Sequence, residues 1–159
     1  MDVRFINPFV NAIQHVFKTM ISVDTVIGKP FLKTQEGLDT EVSAVIGLSG
    51  DAVGSVVLCF PRATAVKFAT AFSGEPMSVK PPDFGDALGE LVNMVTGNAK
   101  SRFKGVSCDI SLPNVLSGFD VKVHQVRRDA TLVLPCDSTM GHFRVEVTME
   151  MKAKAEAAA

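Results

Sequence analysis

The chain has 159 residues, 47% of them hydrophobic and 21% charged, and a formal net charge of −1. That length suits one domain with a sizeable core, and the near-neutral balance excludes an electrostatic case for nucleic acid or an anionic membrane surface. No apolar run reaches the roughly 18 residues of a membrane span. The N-terminus MDVRFINPF lacks the basic start and apolar stretch of a secretory signal. Cys59, Cys108 and Cys136 stand far apart and outside any CxxC pattern. They read as small buried hydrophobes in a reducing, cytoplasmic compartment, not as a disulfide framework or zinc site.

The first element, NPFVNAIQHVFKTMISV, has Asn7 as its expected N-cap and Pro8 at the first helical position. Phe9, Val10, Ile13, Val16, Phe17, Met20 and Ile21 recur at helical spacing, so a helix over 8–22 is expected. VIGKPFLK reads as a turn and a short edge strand, because Pro30 lacks a ladder donor. EVSAVIGLSG and GSVVLCF form a hairpin across SGDAVG. PRATAVKFATAFSG is a second helix that starts near Pro61 and stops at Gly74, with Ala65, Val66, Ala69 and Phe72 as its apolar face. After the proline-rich connector EPMSVKPPD, a third helix covers roughly 83–103.

The last third changes period. VSCDISL, GFDVKVHQV, ATLVLPCD and GHFRVEVTMEM read as strands. In the last, Phe143, Val145, Val147, Met149 and Met151 alternate with Arg144, Glu146, Thr148 and Glu150, which implies one face on a core and one in water. The fold class is therefore α+β: an antiparallel or mixed sheet with three helices, the long ones packed on one face. Residues 1–152 form a single domain, and 153–159 a frayed tail.

The third helix, DALGELVNMVTGNAK, carries the one constellation with chemical content. Asp83 is the expected N-cap, with Asp86 at the third helical position, where an acid suits the helix dipole. At about 100° per residue, Leu88, Leu91, Val92, Val95, Ala99 and Phe103 fall on one side. Asp86, Glu90, Asn93, Gly97 and Lys100 fall on the other. Glu90 and Asn93, one turn apart, project together from a rigid surface. Gly97 costs roughly 1 kcal/mol of helix stability relative to Ala, and it lets another surface come close.

GELVNMVTGNAK resembles the signature of the CheX/CheC/FliY group of chemotaxis phosphatases. That pattern is an acidic or serine residue, three positions, Glu, two positions, Asn, and a proline some twenty residues later. Here these are Asp86, Glu90, Asn93 and Pro113. NPFVNAIQHVFKTM, AVIGLSGDAVGSVVLCFP and SLPNVLSG are similar to further segments of the group, so the likeness covers roughly residues 5–150. Members of the CheC type carry two ExxN helices. The first helix here has no Glu, so the chain resembles the CheX branch.

The resemblance implies hydrolysis of the aspartyl phosphate on a CheY-type response regulator. Asn93 and Glu90 are then the catalytic pair. Glu90, Asp86, Gly97 and Lys100 meet the partner. No cofactor sits on this chain, and the Mg2+ belongs to the regulator. A homodimer through the sheet is also implied. The alternative is a docking module without catalysis, for a response regulator or a flagellar switch component.

Overall fold

In the computed structural model, residues 2–34, 40–78, 82–121 and 130–153 are described, with side chains described for all but 119–121. The expected frayed tail thus lies, Ala153 apart, outside the described residues. A 3-10 turn at Val3–Phe5 leads directly into α1, Ile6–Ile21. The helix therefore starts before Asn7, which is not its cap. The side-chain cap sits further back, where the Asp2 carboxylate accepts the Arg4 N–H at 2.9 Å. Pro8 is tolerated as the third helical residue because the first four N–H groups of a helix have no partner within it. Phe9, Ala12, Ile13, Val16, Phe17 and Ile21 are buried, whereas Met20 at the edge of the stripe is exposed.

Short strands β1 (Thr25–Ile27) and β2 (Phe31–Leu32) follow, then the long hairpin of β3 (Thr40–Gly50) and β4 (Ala52–Phe60). Helix α2, Arg62–Ser73, ends at Gly74, whose φ of 77° gives the left-handed turn that closes the last carbonyl, Gly74 N–H to Thr70 O. Its buried face is Thr64, Ala65, Phe68 and Ala69. Phe68 is the anchor that the expected face omitted. Helix α3 is Pro82–Lys100. The chain finishes with β5 (Cys108–Ile110), β6 (Asn114–Val121), β7 (Thr131–Ser138) and β8 (Gly141–Met151). β6 begins four residues before the expected GFDVKVHQV, and the rest of that segment, with RRD, lies outside the described residues.

The eight strands form one open sheet, ordered β1-β7-β8-β4-β3-β5, with β2 also on β7 and β6 also on β3. Every pairing is antiparallel. Register places Ala44, Leu58, Val145 and Leu134 in one cross-strand row, on the face that receives all three helices. Phe17 of α1, Phe68 of α2, Phe60 of β4 and Phe143 of β8 meet there, with ring centroids between 4.9 and 5.5 Å apart. Aromatic pairs of this kind add about 0.5–1.5 kcal/mol each beyond burial.

The opposite face departs from expectation. Its central row runs Val45, Val57, Glu146, Val133, and Glu146 is 2% exposed where a wet carboxylate is expected. Thr148 is buried too. The reason is local. Lys33, just after β2, and Arg144, two residues back on β8, each reach a Glu146 carboxylate oxygen at 2.8 Å and lie over it. Thr131 and Thr148 hydroxyls pair across the strands at 2.8 Å. Among the described residues no helix is long and apolar enough to cross a membrane.

Glu146→Gln removes the charge that holds Lys33 down on the sheet. Breaking a buried ion pair from one side costs about 3 kcal/mol. Urea unfolding should show that loss, and a change under about 0.5 kcal/mol, the ordinary range for a surface substitution, would place the pair among decorative surface contacts.

Candidate active site on the third helix

Helix α3 is held on nearly all sides. Phe84, Ala87, Leu88, Leu91, Val92, Val95, Thr96 and Ala99 are buried against the sheet and its neighbouring helices. Gly85 and Gly89, one turn apart, face β6. A Cβ on Gly89 would stand 3.2 Å from Cγ of Pro113 and 3.8 Å from Val115, and one on Gly85 would stand 4.0 Å from Val115. The bare glycine surface lets the proline ring seat against the helix without crowding, whereas a Cβ at Gly89 would make a contact tighter than usual. The segment bearing Pro113 is itself fixed to β3. Ser111 N–H donates to Gly47 O at 3.0 Å, and Ser111 Oγ accepts Gly47 N–H at 2.8 Å.

What remains outside is the expected stripe. Asp86 and Glu90 are exposed, and Asn93, Gly97 and Lys100 are half-buried. Glu90 and Asn93 lie about 4.5 Å apart along the axis, and Lys100 is about 10 Å beyond Asn93, at 1.5 Å per residue. Among the described residues, Asp86, Glu90, Asn93 and Lys100 make no side-chain hydrogen bond or ion pair. A carboxylate and an amide are thus held on a rigid element with their hydrogen-bonding capacity uncommitted. At Gly97 an added Cβ would meet nothing within 4 Å, so the surface there is open.

Two expectations need correction. The helix begins at Pro82, so Asp83 is inside its first turn and is not its N-cap. Asp86 is then the fifth helical residue, past the turn where the dipole acts, and its capping role falls away. Phe103 lies beyond the helix end. It packs on Phe5 edge-to-face at 4.9 Å instead of on the sheet.

Pro113, which lacks a ladder donor, is the residue type that ends a strand at a turn. It does lie between β5 and β6, and its ring also braces the helix one residue before Glu90. The sequence signal for that contact is Gly85-x3-Gly89, a glycine pair one helical turn apart. Leu112, next to the braced proline and 86% exposed, is an apolar side chain that no periodicity flagged.

No nucleophile accompanies the stripe. His15 on α1 and His142 on β8 are exposed on other elements, and His124 lies outside the described residues. The cysteines are free and buried. Burial pushes the thiols of Cys59 and Cys136 up to about 12, far from a reactive thiolate. Among the described residues no three His, Cys, Asp or Glu side chains gather to hold a metal ion.

An antiparallel sheet with helices on one face thus presents, on an outward helix strip, an acid–amide pair with no side-chain partner among the described residues. The chain belongs to the CheX family: residues 42–137 match the model of the chemotaxis phosphatase CheX. It is 28% identical over 126 residues to the CheY-P phosphatase CheX of Thermotoga maritima, covering 77% of this chain and 81% of that protein. The crystal structure of the chemotaxis protein CheX from Desulfovibrio desulfuricans superposes with a TM-score of 0.87 at 28% identity, over 93% of this chain and 100% of that one. The CheX of the CheX–CheY–BeF3–Mg2+ complex from Borrelia burgdorferi is 26% identical with a TM-score of 0.78, over 92% and 97% of the two chains.

Gly89 and Gly97 of α3 should respond in opposite ways. Gly89→Leu drives a side chain into Pro113 and should cost about 1–3 kcal/mol as overpacking. Gly97→Ala enters open space and should gain about 1 kcal/mol of helix stability. Chemical denaturation of both variants checks the pair, and equal signs would mean that the seating of α3 is wrongly drawn.

Proposed function

We propose that this chain hydrolyses the aspartyl phosphate of a CheY-type response regulator, with α3 docked over the phosphorylated site. The observation that carries the reading is the pair Glu90 and Asn93, uncommitted on the outward stripe of a braced helix. Its support from relatives is that one bears the name CheY-P phosphatase and another forms a complex with CheY, BeF3 and Mg2+.

Phosphoryl transfer passes through a loose transition state, so catalysis is mostly positioning and charge neutralisation. The Mg2+ carried by the partner neutralises charge on the transferring group. What this chain adds is a held water. The Asn93 carboxamide oxygen accepts a hydrogen bond from that water, and its NH2 donates to a phosphoryl oxygen. Being neutral, the amide does not repel the phosphoryl group. The water oxygen bonds to phosphorus in line as the bond to the aspartyl oxygen breaks. The aspartate leaves with the electron pair, and the water proton passes to the phosphate or to solvent. Positioning of this kind contributes several kcal/mol, up to roughly 7–11 in the best intramolecular cases.

Glu90, one turn away, engages the regulator's lysine in a charge-assisted hydrogen bond and so sets the docking register of Asn93. Asp86 and Lys100 make the rim, Gly97 leaves room for the partner's backbone, and exposed Leu112 adds an apolar contact beside Glu90.

Asn93→Ala should slow stimulated loss of phosphate from the regulator by at least about a hundredfold while leaving circular dichroism unchanged. Glu90→Ala should weaken binding and lower the rate together. Full activity in a folded Asn93→Ala protein sinks the assignment, and a wild-type chain that binds the phosphorylated regulator without speeding phosphate release makes it a docking module.

The proposal includes a homodimer through the sheet. Among the described residues β6 pairs only with β3, and Leu116 on that strand is 45% exposed. An unpaired strand edge of this length templates pairing with another chain. Sedimentation should find a dimer for the wild type and a monomer for Leu116→Lys, whereas a monomeric wild type excludes the pairing.

A further inference from the structure

Where α1 begins and the chain leaves α3, the surface opens into a hollow of about 300 Å³. Phe5, Pro8, Phe103 and Val106 make an apolar lining, with the Phe5 and Phe103 rings set edge-to-face at its base. Arg4, Arg102 and Lys104 complete the wall, and no acidic residue lines it. A second, polar depression along α1, lined by Gln14, His15 and Lys18 among others, shares Arg102 with the first. An apolar chamber and a polar groove thus meet at one guanidinium.

The charges around it are unequally committed. Arg4 is held by Asp2, and Lys18 by Asp24 at 3.0 Å. Arg102 uses only its Nε, on the Asn98 side-chain oxygen at 3.1 Å. The rest of its guanidinium and the whole of the Lys104 ammonium have no partner among the described residues. The two nearby acids are already spent, and two cations stand free beside an apolar cavity of ligand size.

We propose that this hollow binds a small amphipathic anion, an aryl or acyl molecule bearing a carboxylate or a similar acid. Its apolar body lies against the Phe5–Phe103 pair and Val106. Its headgroup takes the open fork of Arg102, which matches a planar carboxylate with two parallel hydrogen bonds, and Lys104 adds a second charge. A neutral apolar molecule would leave both cations unanswered, and an inorganic anion would leave the aromatic wall unused. The site lies past the C-terminal end of α3, beyond the Glu90–Asn93 stripe, and its argument does not depend on the phosphatase reading.

The test uses the full folded chain and two probes of similar shape, anilinonaphthalene sulfonate, which is anionic, and phenylnaphthylamine, which is not. The anionic probe should show a saturable fluorescence rise that dodecanoate displaces and dodecanol does not. Binding should weaken at least about tenfold in Arg102→Glu and with the neutral probe, the loss of one charge-assisted hydrogen bond. It should persist in part in Arg102→Lys and vanish in Val106→Trp, which fills the chamber. Arg102 is exposed, so its variants are expected to fold, and circular dichroism checks all three. Equal affinity for the two probes, binding unaffected by Arg102→Glu and Val106→Trp, or no saturable binding each overturn the proposal. Unaffected binding would assign the fluorescence to other apolar surface, such as exposed Phe31 and Leu32.

Discussion

The seating of α3 is the constraint on which the candidate site depends. A helix alone presents every side chain to its surroundings, and this one has only a narrow strip left to present. Its apolar face is spent on the sheet and the neighbouring helices. Its glycine face is spent on Pro113 and Val115, and at Gly89 an added Cβ would stand 3.2 Å from the proline ring, tighter than ordinary contact. Ser111 ties that proline to β3, so the brace is part of the sheet's own hydrogen-bonded frame. A residue on the remaining strip moves with the frame, not with a loop, which is what positioning a water requires.

The same frame explains why the molecule has room for a bare site. Four phenylalanines drawn from α1, α2, β4 and β8 knit the helical layer to the centre of the sheet. The opposite face hides Glu146 under two cations instead of leaving it to water. These contacts carry the stability of the fold, and none draws on the outward stripe. Glu90 and Asn93 can therefore stay unpaired without weakening the core.

The chemistry available on that stripe is narrow. It offers two carboxylates, an amide, an ammonium group and open space, with no nucleophile or metal cluster among the described residues. Buried thiols whose pKa is pushed up to about 12 stand apart from it as packing. Such a surface can orient, dock and exclude. For an acyl phosphate that already has a good leaving group, our reading is that orienting is enough.

Period and punctuation in the sequence determined a good deal. The hairpin, the helix stop at Gly74, the strand-rich last third and the outward stripe Asp86–Glu90–Asn93–Gly97–Lys100 follow from alternation, helical spacing and glycine placement, because these are local consequences of backbone geometry. Tertiary structure decided the rest. Glu146 looks solvated from its alternation, yet it is buried, because Lys33, just after β2 and 113 positions away in sequence, reaches it, and no local pattern can see that partner. Asp83 and Asp86 look like a cap and its partner, yet the helix starts two residues earlier, at Pro82, since a proline suits a first turn that packing has already placed. Pro113 looks like a strand end, and only the meeting of β6 with Gly89 reveals it as a brace. A residue's own chemistry sets which face of an element it can occupy. What stands opposite that face is set by chain segments far away, and that is the part a single sequence does not display.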